Sequence, residues 1–194
     1  LAKTLRDAHE VRAHQADPRA QSLYAVVHGG INPELRKQSA EFLGKLPFDG
    51  YGIGGSVGKN REEMTAMLQA TMPHVPVDKP IHLLGIGDMP SIDAAIPLGI
   101  DTFDSSHPTK CARHGLLYAA AGHVRVTSVK WAEHFRPIDE TCTCYTCQHY
   151  TVAYLHHLFK AHELLFYTLA SVHNIAFMMR LMANYRERIL AGEI

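Results

Sequence analysis

An α/β fold with a parallel sheet is predicted by three observations. Four short apolar runs, SLYAVVHGG, GYGIGG, IHLLGIG and IDTFDSS, each close on glycine or polar residues, the form of a buried strand followed by a loop. Helical patterns lie between them, giving the order βαβαβαβ. Beyond the fourth run the pattern changes, and a crowded cysteine cluster marks a separate region. The alternation requires right-handed crossovers between parallel strands, and strands this apolar call for helical cover on both faces. An open doubly wound sheet and a (β/α)8 barrel both satisfy it, and four units amount to half of a barrel.

The elements follow in order. Leu1, Leu5, His9 and Val11 fall near one side of a helical pattern at the start, and the chain opens without Met, as a piece of something longer would. Helices are expected over Pro33 to Leu46, opened by Asn32 with proline at the first helical position, and over Arg61 to Met72 after Asn60. Ser91 to Leu98 gives a third, rich in small apolar residues. After the fourth strand, PTKCARHG gives a short helix, then extended segments lead into the cysteines. From Tyr150 one long helical stretch runs nearly to the end. The expected division is residues 1–120 for the βα units and 121–194 for the cysteine region with its closing helices.

Composition narrows the function. With 46% apolar residues in a 194-residue chain, a buried core is affordable. Lys+Arg and Asp+Glu both number 19, so net charge gives no argument for a polyanionic partner. No unbroken apolar run reaches the roughly 18 residues of a membrane span, and no signal peptide is recognisable at the start. A soluble, cytoplasmic protein with no membrane partner is therefore expected.

Residues 140 to 149, ETCTCYTCQH, place three of the four cysteines in C-x-C-x2-C spacing. Such crowding disfavours local disulfides and suits metal ligation. Cys142, Cys144 and Cys147 can surround one ion, and a tetrahedral shell requires a fourth ligand. His173 on the later helix is the first choice, since it would staple a loop to a distant helix. His149, His156, His157 and His162 remain rivals at this point. A closed Cys3His shell has no open position for water, so the metal would be structural, one per chain, and zinc fits those donors.

Together, VVHGG, DGYGIGGSVGK, GIDTFDSSHPTKCARHG and the C-x-C-x2-C…H cluster resemble the tRNA-guanine transglycosylases, from Tyr24 to the C-terminus. The resemblance implies the second half of a (β/α)8 barrel with an inserted zinc-binding subdomain and closing helices, His173 completing the zinc shell. The implied activity is exchange of guanine at the wobble position of tRNA with a GUN anticodon for a 7-deazaguanine base, queuine or its aminomethyl precursor. Asp104 falls on the nucleophile, which would attack ribose C1′ and hold the tRNA covalently. Gly54, Gly55 and Ser56 match the loop lining the base pocket, and Leu84 an apolar position on the base face. Lys110 and Arg113 match basic positions that grip the anticodon loop. Taken alone, Asp104 would as readily cap the helix near Pro108, Gly54 to Ser56 would be a simple turn, Leu84 a core residue, and Lys110 and Arg113 a solvated helix face.

There are departures. His28 stands where bacterial members usually carry a base-reading glutamine, Lys59 where glutamate is common, and the glycine loop is one residue shorter. The change at His28 would alter recognition of the base ring, whereas the loop changes fall where the family reads the 7-substituent and point toward queuine. The family's first barrel half, with its acid–base and base-stacking residues, has no counterpart here, so the chain is expected to need that half as a partner and to be inactive without it. A homodimer is implied by resemblance. The alternatives are a non-catalytic, zinc-stapled tRNA-binding or accessory subunit and, more remotely, a zinc hydrolase. His156 and His157 are expected to be a packing and a surface histidine.

Overall fold

The computed structural model describes residues 22–194; the helical pattern at Leu1, Leu5, His9 and Val11 lies outside them. The chain divides after Ser105 into two compact units.

The first unit alternates strand and helix: β1 (Tyr24–Val27), α1 (Pro33–Leu43), β2 (Gly50–Ile53), α2 (Arg61–Thr71), β3 (Ile81–Leu83), α3 (Met89–Ala95) and β4 (Thr102–Phe103). Each helix opens on a side-chain cap. Asn32 Oδ1 accepts the N–H groups of Glu34 and Leu35 at 3.0 and 3.1 Å. Asn60 accepts that of Glu63 at 2.9 Å, and Glu63 reaches back to the Lys59 N–H. Asp88 accepts that of Ser91 at 3.1 Å. These bonds satisfy amides that the helix itself leaves unpaired. The Asp88 cap starts α3 two residues earlier than the periodicity suggests, and its expected last turn is a 3-10 turn, Ile96–Leu98, stopped by Gly99 at φ 94°. Likewise α1 ends at Leu43 rather than Leu46.

The four strands are parallel and lie in the order β1-β2-β3-β4, with Val26 opposite Gly52, Gly52 opposite His82 and His82 opposite Thr102. This order never reverses, so the described strands contain no switch point of the doubly wound kind. Because side chains alternate across a strand, Ala25, Val27, Tyr51, Ile53, Ile81 and Leu83 share one face. That face forms the core with Leu43 of α1, Met64 and Leu68 of α2 and Ala95 of α3. The opposite face carries Tyr24, Val26, Gly50, Gly52, His82 and Thr102, none of them part of that core. Among the described residues of this unit, helices pack on the first face alone, whereas the sequence led us to expect cover on both.

The second unit contains α4 (His107–Arg113), a hairpin of β5 (Leu116–Leu117) and β6 (Val124–Arg125), and the helices α5 (Tyr145–His149), α6 (Val152–Lys160) and α7 (Leu164–Leu190). Its core gathers Leu117, Val126, Val152, Leu155, Phe166 and Leu169. Buried Asn174 of α7 ties the unit together: Oδ1 accepts the Tyr118 N–H, and Nδ2 donates to the carbonyls of Pro108 and Leu116, all at 3.0 Å.

The single helical stretch expected from Tyr150 is two helices. Thr151 caps α6, and the chain breaks at His162, which takes φ 58° while the Glu163 N–H returns to the Leu158 carbonyl. This is a left-handed helix stop made by histidine where glycine is usual, so periodicity carries no sign of it. By length and composition alone α7 is apolar enough to cross a membrane, although no such segment was expected; counting unbroken apolar runs passes over a helix with spaced polar residues. Phe166, Leu169, Ala170, His173 and Asn174 of α7 are buried, the spacing of a core-facing helix side.

Candidate functional site

Parallel strands deliver their following loops to one edge of the sheet. In the first unit His28 follows β1, Gly54 to Ser56 follow β2, Leu84 and Gly85 follow β3, and Asp104 follows β4. The glycines are there for space. A Cβ on Gly54 would lie 2.7 Å from both Val26 Cγ1 and Leu84 Cδ1, and one on Gly55, at φ 76°, would lie 3.0 Å from His28 Nδ1. Val26, Leu84 and the His28 ring therefore close around bare main chain. Leu84 is 38% exposed and is not the core residue it could have been. Ser56 is exposed and its carbonyl is used structurally.

The acceptor role of the Ser56 carbonyl introduces Arg36, which the sequence reading did not single out. Arg36 on α1 is fully buried. Its Nε donates to the Gly30 carbonyl at 2.8 Å, one terminal nitrogen to Val27 at 2.8 Å and the other to Ser56 at 2.9 Å. One guanidinium thus fixes the loop after β1 to the loop after β2. All three acceptors are neutral, and burial lowers its pKa. Its signal in the sequence is a charge at the core spacing of a helix, in line with Ala40 and Leu43.

Asp104 is exposed, and its Oδ1 accepts two hydrogen bonds. The Gly85 N–H lies at 2.9 Å and His82 Nε2 at 3.0 Å, while His82 Nδ1 meets Thr102 Oγ1 at 2.8 Å. The Gly85 amide first, and then His82, hold the carboxyl below its ordinary pKa, so it is ionised at neutral pH. The capping alternative is not realised: Ser106 holds the N-cap position of α4, without a side-chain cap, and the bonds of Asp104 go to the end of β3. Gly85 takes φ 75°, which only glycine adopts at little cost. Gly87 allows close approach, since a Cβ there would come within 2.3 Å of Ser105 Cβ. A cleft of about 310 Å³ beside these loops is lined by Lys59, Arg61, Ile86 and Asp88 among others.

Lys110 and Arg113 belong to the second unit, on the exposed side of the short helix α4. Among the described residues neither has an ion pair. In the same unit Cys142, Cys144, Cys147 and His173 bring one ligand atom each within 4.8 Å of one another, so these four can hold one metal ion. His173 Nδ1 stands 3.8, 3.6 and 3.3 Å from the sulfurs of Cys142, Cys144 and Cys147. Its Nε2 donates to the Tyr118 carbonyl at 2.6 Å, which directs the Nδ1 lone pair at the thiols. Burial lowers the His173 pKa and favours the neutral, ligating ring; in the absence of a cation, burial pushes the Cys147 thiol up to about 12. Three thiols, two of them buried, facing one imidazole gain most from a cation. The rivals go elsewhere: His156 is buried with Nδ1 on the Val126 carbonyl, and His157 is exposed. Arg180 steadies the loop by donating to Asp139 at 2.9 Å and to the Thr141 carbonyl at 3.2 Å.

Comparison with known proteins places this arrangement. A family model described as "Queuine tRNA-ribosyltransferase" matches residues 1–194. Proteins of that name are 51% identical over 194 residues in Protochlamydia amoebophila, covering 97% of this chain and 50% of the relative. The corresponding protein of Chlamydia felis is 50% identical over 182 residues, covering 93% and 49%, and that of Roseiflexus sp. is 44% identical over 176 residues, covering 89% and 44%. The chain spans about half the length of the curated relatives it matches.

Proposed function

The chain belongs to the queuine tRNA-ribosyltransferase family, and on that premise we propose that it carries the nucleophile and the metal-stapled region of a tRNA-guanine transglycosylase. The single observation that carries the proposal is the ionised, oriented Asp104 at the same strand-end edge as the bare main chain of Gly54 and Gly55. The non-reversing parallel order, with a helix after each strand, supports reading residues 1–120 as half of a (β/α)8 barrel and 121–194 as an inserted subdomain with closing helices.

In this reading Asp104 attacks C1′ of the target ribose as the C1′–N9 bond breaks and guanine departs with the bonding pair. N9 of the incoming base then displaces the carboxylate from the covalent intermediate. A carboxylate suits a carbon that passes through oxocarbenium-like character. The acid–base groups for the departing and arriving bases would come from a preceding barrel half. Gly54, Gly55 and Ser56 present main chain to a flat base, His28 and Leu84 bound it, and Lys110 and Arg113 hold anticodon-loop phosphates. Cys142, Cys144, Cys147 and His173 hold structural zinc: their nitrogen–sulfur separations bracket the about 3.6 Å that tetrahedral zinc bond lengths require. A tRNA with a GUN anticodon, a 7-deazaguanine base (queuine or its precursor), homodimeric assembly and a cytoplasmic site of action complete the proposal.

The test is incorporation of labelled guanine into unmodified tRNA, by this chain alone and with a separately expressed first barrel half. Exchange on addition of the half is the expected result. Binding of tRNA with no exchange in either case would instead favour an accessory subunit. Gly54→Ala tests the base pocket. Its methyl group must displace Leu84 or Val26, an overpacking that costs about 1–3 kcal/mol, and the KM for guanine should rise about tenfold or more with the tRNA KM unchanged. Unchanged guanine KM would place the base elsewhere.

A further inference from the structure

The surroundings of Asp104 are asymmetric. Both of its hydrogen bonds converge on Oδ1, and among the described residues Oδ2 has no partner. An ionised carboxylate only accepts, so His82 Nε2 carries the proton of that bond. On the far side of the ring, Thr102 lies directly across the β3–β4 register from His82, and its hydroxyl pairs with Nδ1 at 2.8 Å. Thr102, His82 and Asp104 form a chain of hydrogen bonds that fixes ring and carboxylate together. His82 occupies a strand position where Ile81 and Leu83 on either side face the apolar core, so its own side chain stands on the glycine-lined face.

We propose that His82 is a positioning residue for Asp104, whose Nε2–H and the Gly85 N–H hold Oδ1 so that Oδ2 is the oxygen that bonds C1′ and later leaves it. The inference rests on Asp104 being the nucleophile. Its chemistry balances without any further reactant. When Oδ2 bonds C1′ and guanine leaves with its electron pair, the carboxylate becomes a neutral ester and Oδ1 a poorer acceptor. When the incoming base attacks C1′, the Oδ2–C1′ pair returns to the carboxylate and both hydrogen bonds strengthen. The Nε2 proton stays on His82 throughout. His82 therefore favours the departing carboxylate over the ester, and its loss should slow discharge of the intermediate more than capture.

The experiment uses the full-length enzyme bearing these residues and follows the covalent enzyme–tRNA adduct on denaturing gels, first its formation and then its discharge by excess guanine. Removing the donor in His82→Phe should slow discharge about ten- to a hundred-fold, the kinetic equivalent of one hydrogen bond to a charged group, and the adduct should accumulate. His82→Gln, which keeps an N–H donor, should restore most of the discharge rate, and Thr102→Val should give a smaller defect in the same direction. The Gln and Val variants decide the matter should the Phe variant fail to fold. Equal slowing of capture and discharge, or no change in either, would overturn the proposal while leaving Asp104 as nucleophile. Absence of any adduct in the unsubstituted enzyme would overturn both.

Discussion

Asp104→Asn in the full-length enzyme is expected to abolish covalent capture of tRNA and to lower base exchange by about a thousand-fold or more. The amide lacks the negative charge that attacks C1′ and stabilises the carbon as it loses guanine. Asn is the informative replacement because its carbonyl can still accept from the Gly85 N–H and His82, so fold and tRNA affinity should persist. Gel-resolved adduct, exchange rate and tRNA binding measured on one preparation separate these effects. Exchange near the original rate would remove Asp104 from the mechanism. The sign of the pH dependence follows from the same hydrogen bonds. The Gly85 amide and then His82 depress the Asp104 pKa, so the nucleophile stays charged above that value. Capture should fail through this group only on acidification below the ordinary aspartate range of about 3.9.

The second large effect concerns the metal. Cys144→Ser or His173→Ala is expected to abolish the zinc binding proposed for these residues and to unfold much of the second unit. Structural zinc of this kind contributes on the order of 10 kcal/mol to folding, comparable with the whole stability of a domain. The four ligands join the loop at 142–147 to α7, and α7 in turn holds α4 and the hairpin through Asn174. Metal content and amide exchange over α5, α6 and α7 report the outcome. Chelation of the unsubstituted protein should reproduce the loss of protection. One equivalent of zinc retained after substitution would mean that the ligand set is wrong.

Much of this protein is determined locally. Four apolar runs closed by glycine or polar residues, with Asn32 and Asn60 available as caps, mark strand, loop and helix in turn, because each signal lies within a few residues of the structure it makes. The C-x-C-x2-C spacing is equally local, and three of the four metal ligands follow from it. The family motifs around Asp104 were legible for the same reason. His173 was one histidine among several until folding set its Nδ1 against three sulfurs and its Nε2 on the Tyr118 carbonyl. Arg36 gave only a charge on an apolar helix side, since its three acceptors lie in two different loops. His82 was not singled out from the sequence, because its partners Thr102 and Asp104 lie on and just after the next strand in the sheet. The helix stop at His162 was hidden because a left-handed residue need not be glycine when the surrounding hydrogen bonds hold it. The sequence by itself marked the alternation of strand and helix in the first unit and the cysteine cluster of the second. Only the tertiary structure decided which oxygen of Asp104 is left free, because that depends on hydrogen bonds between strands whose register no local pattern records.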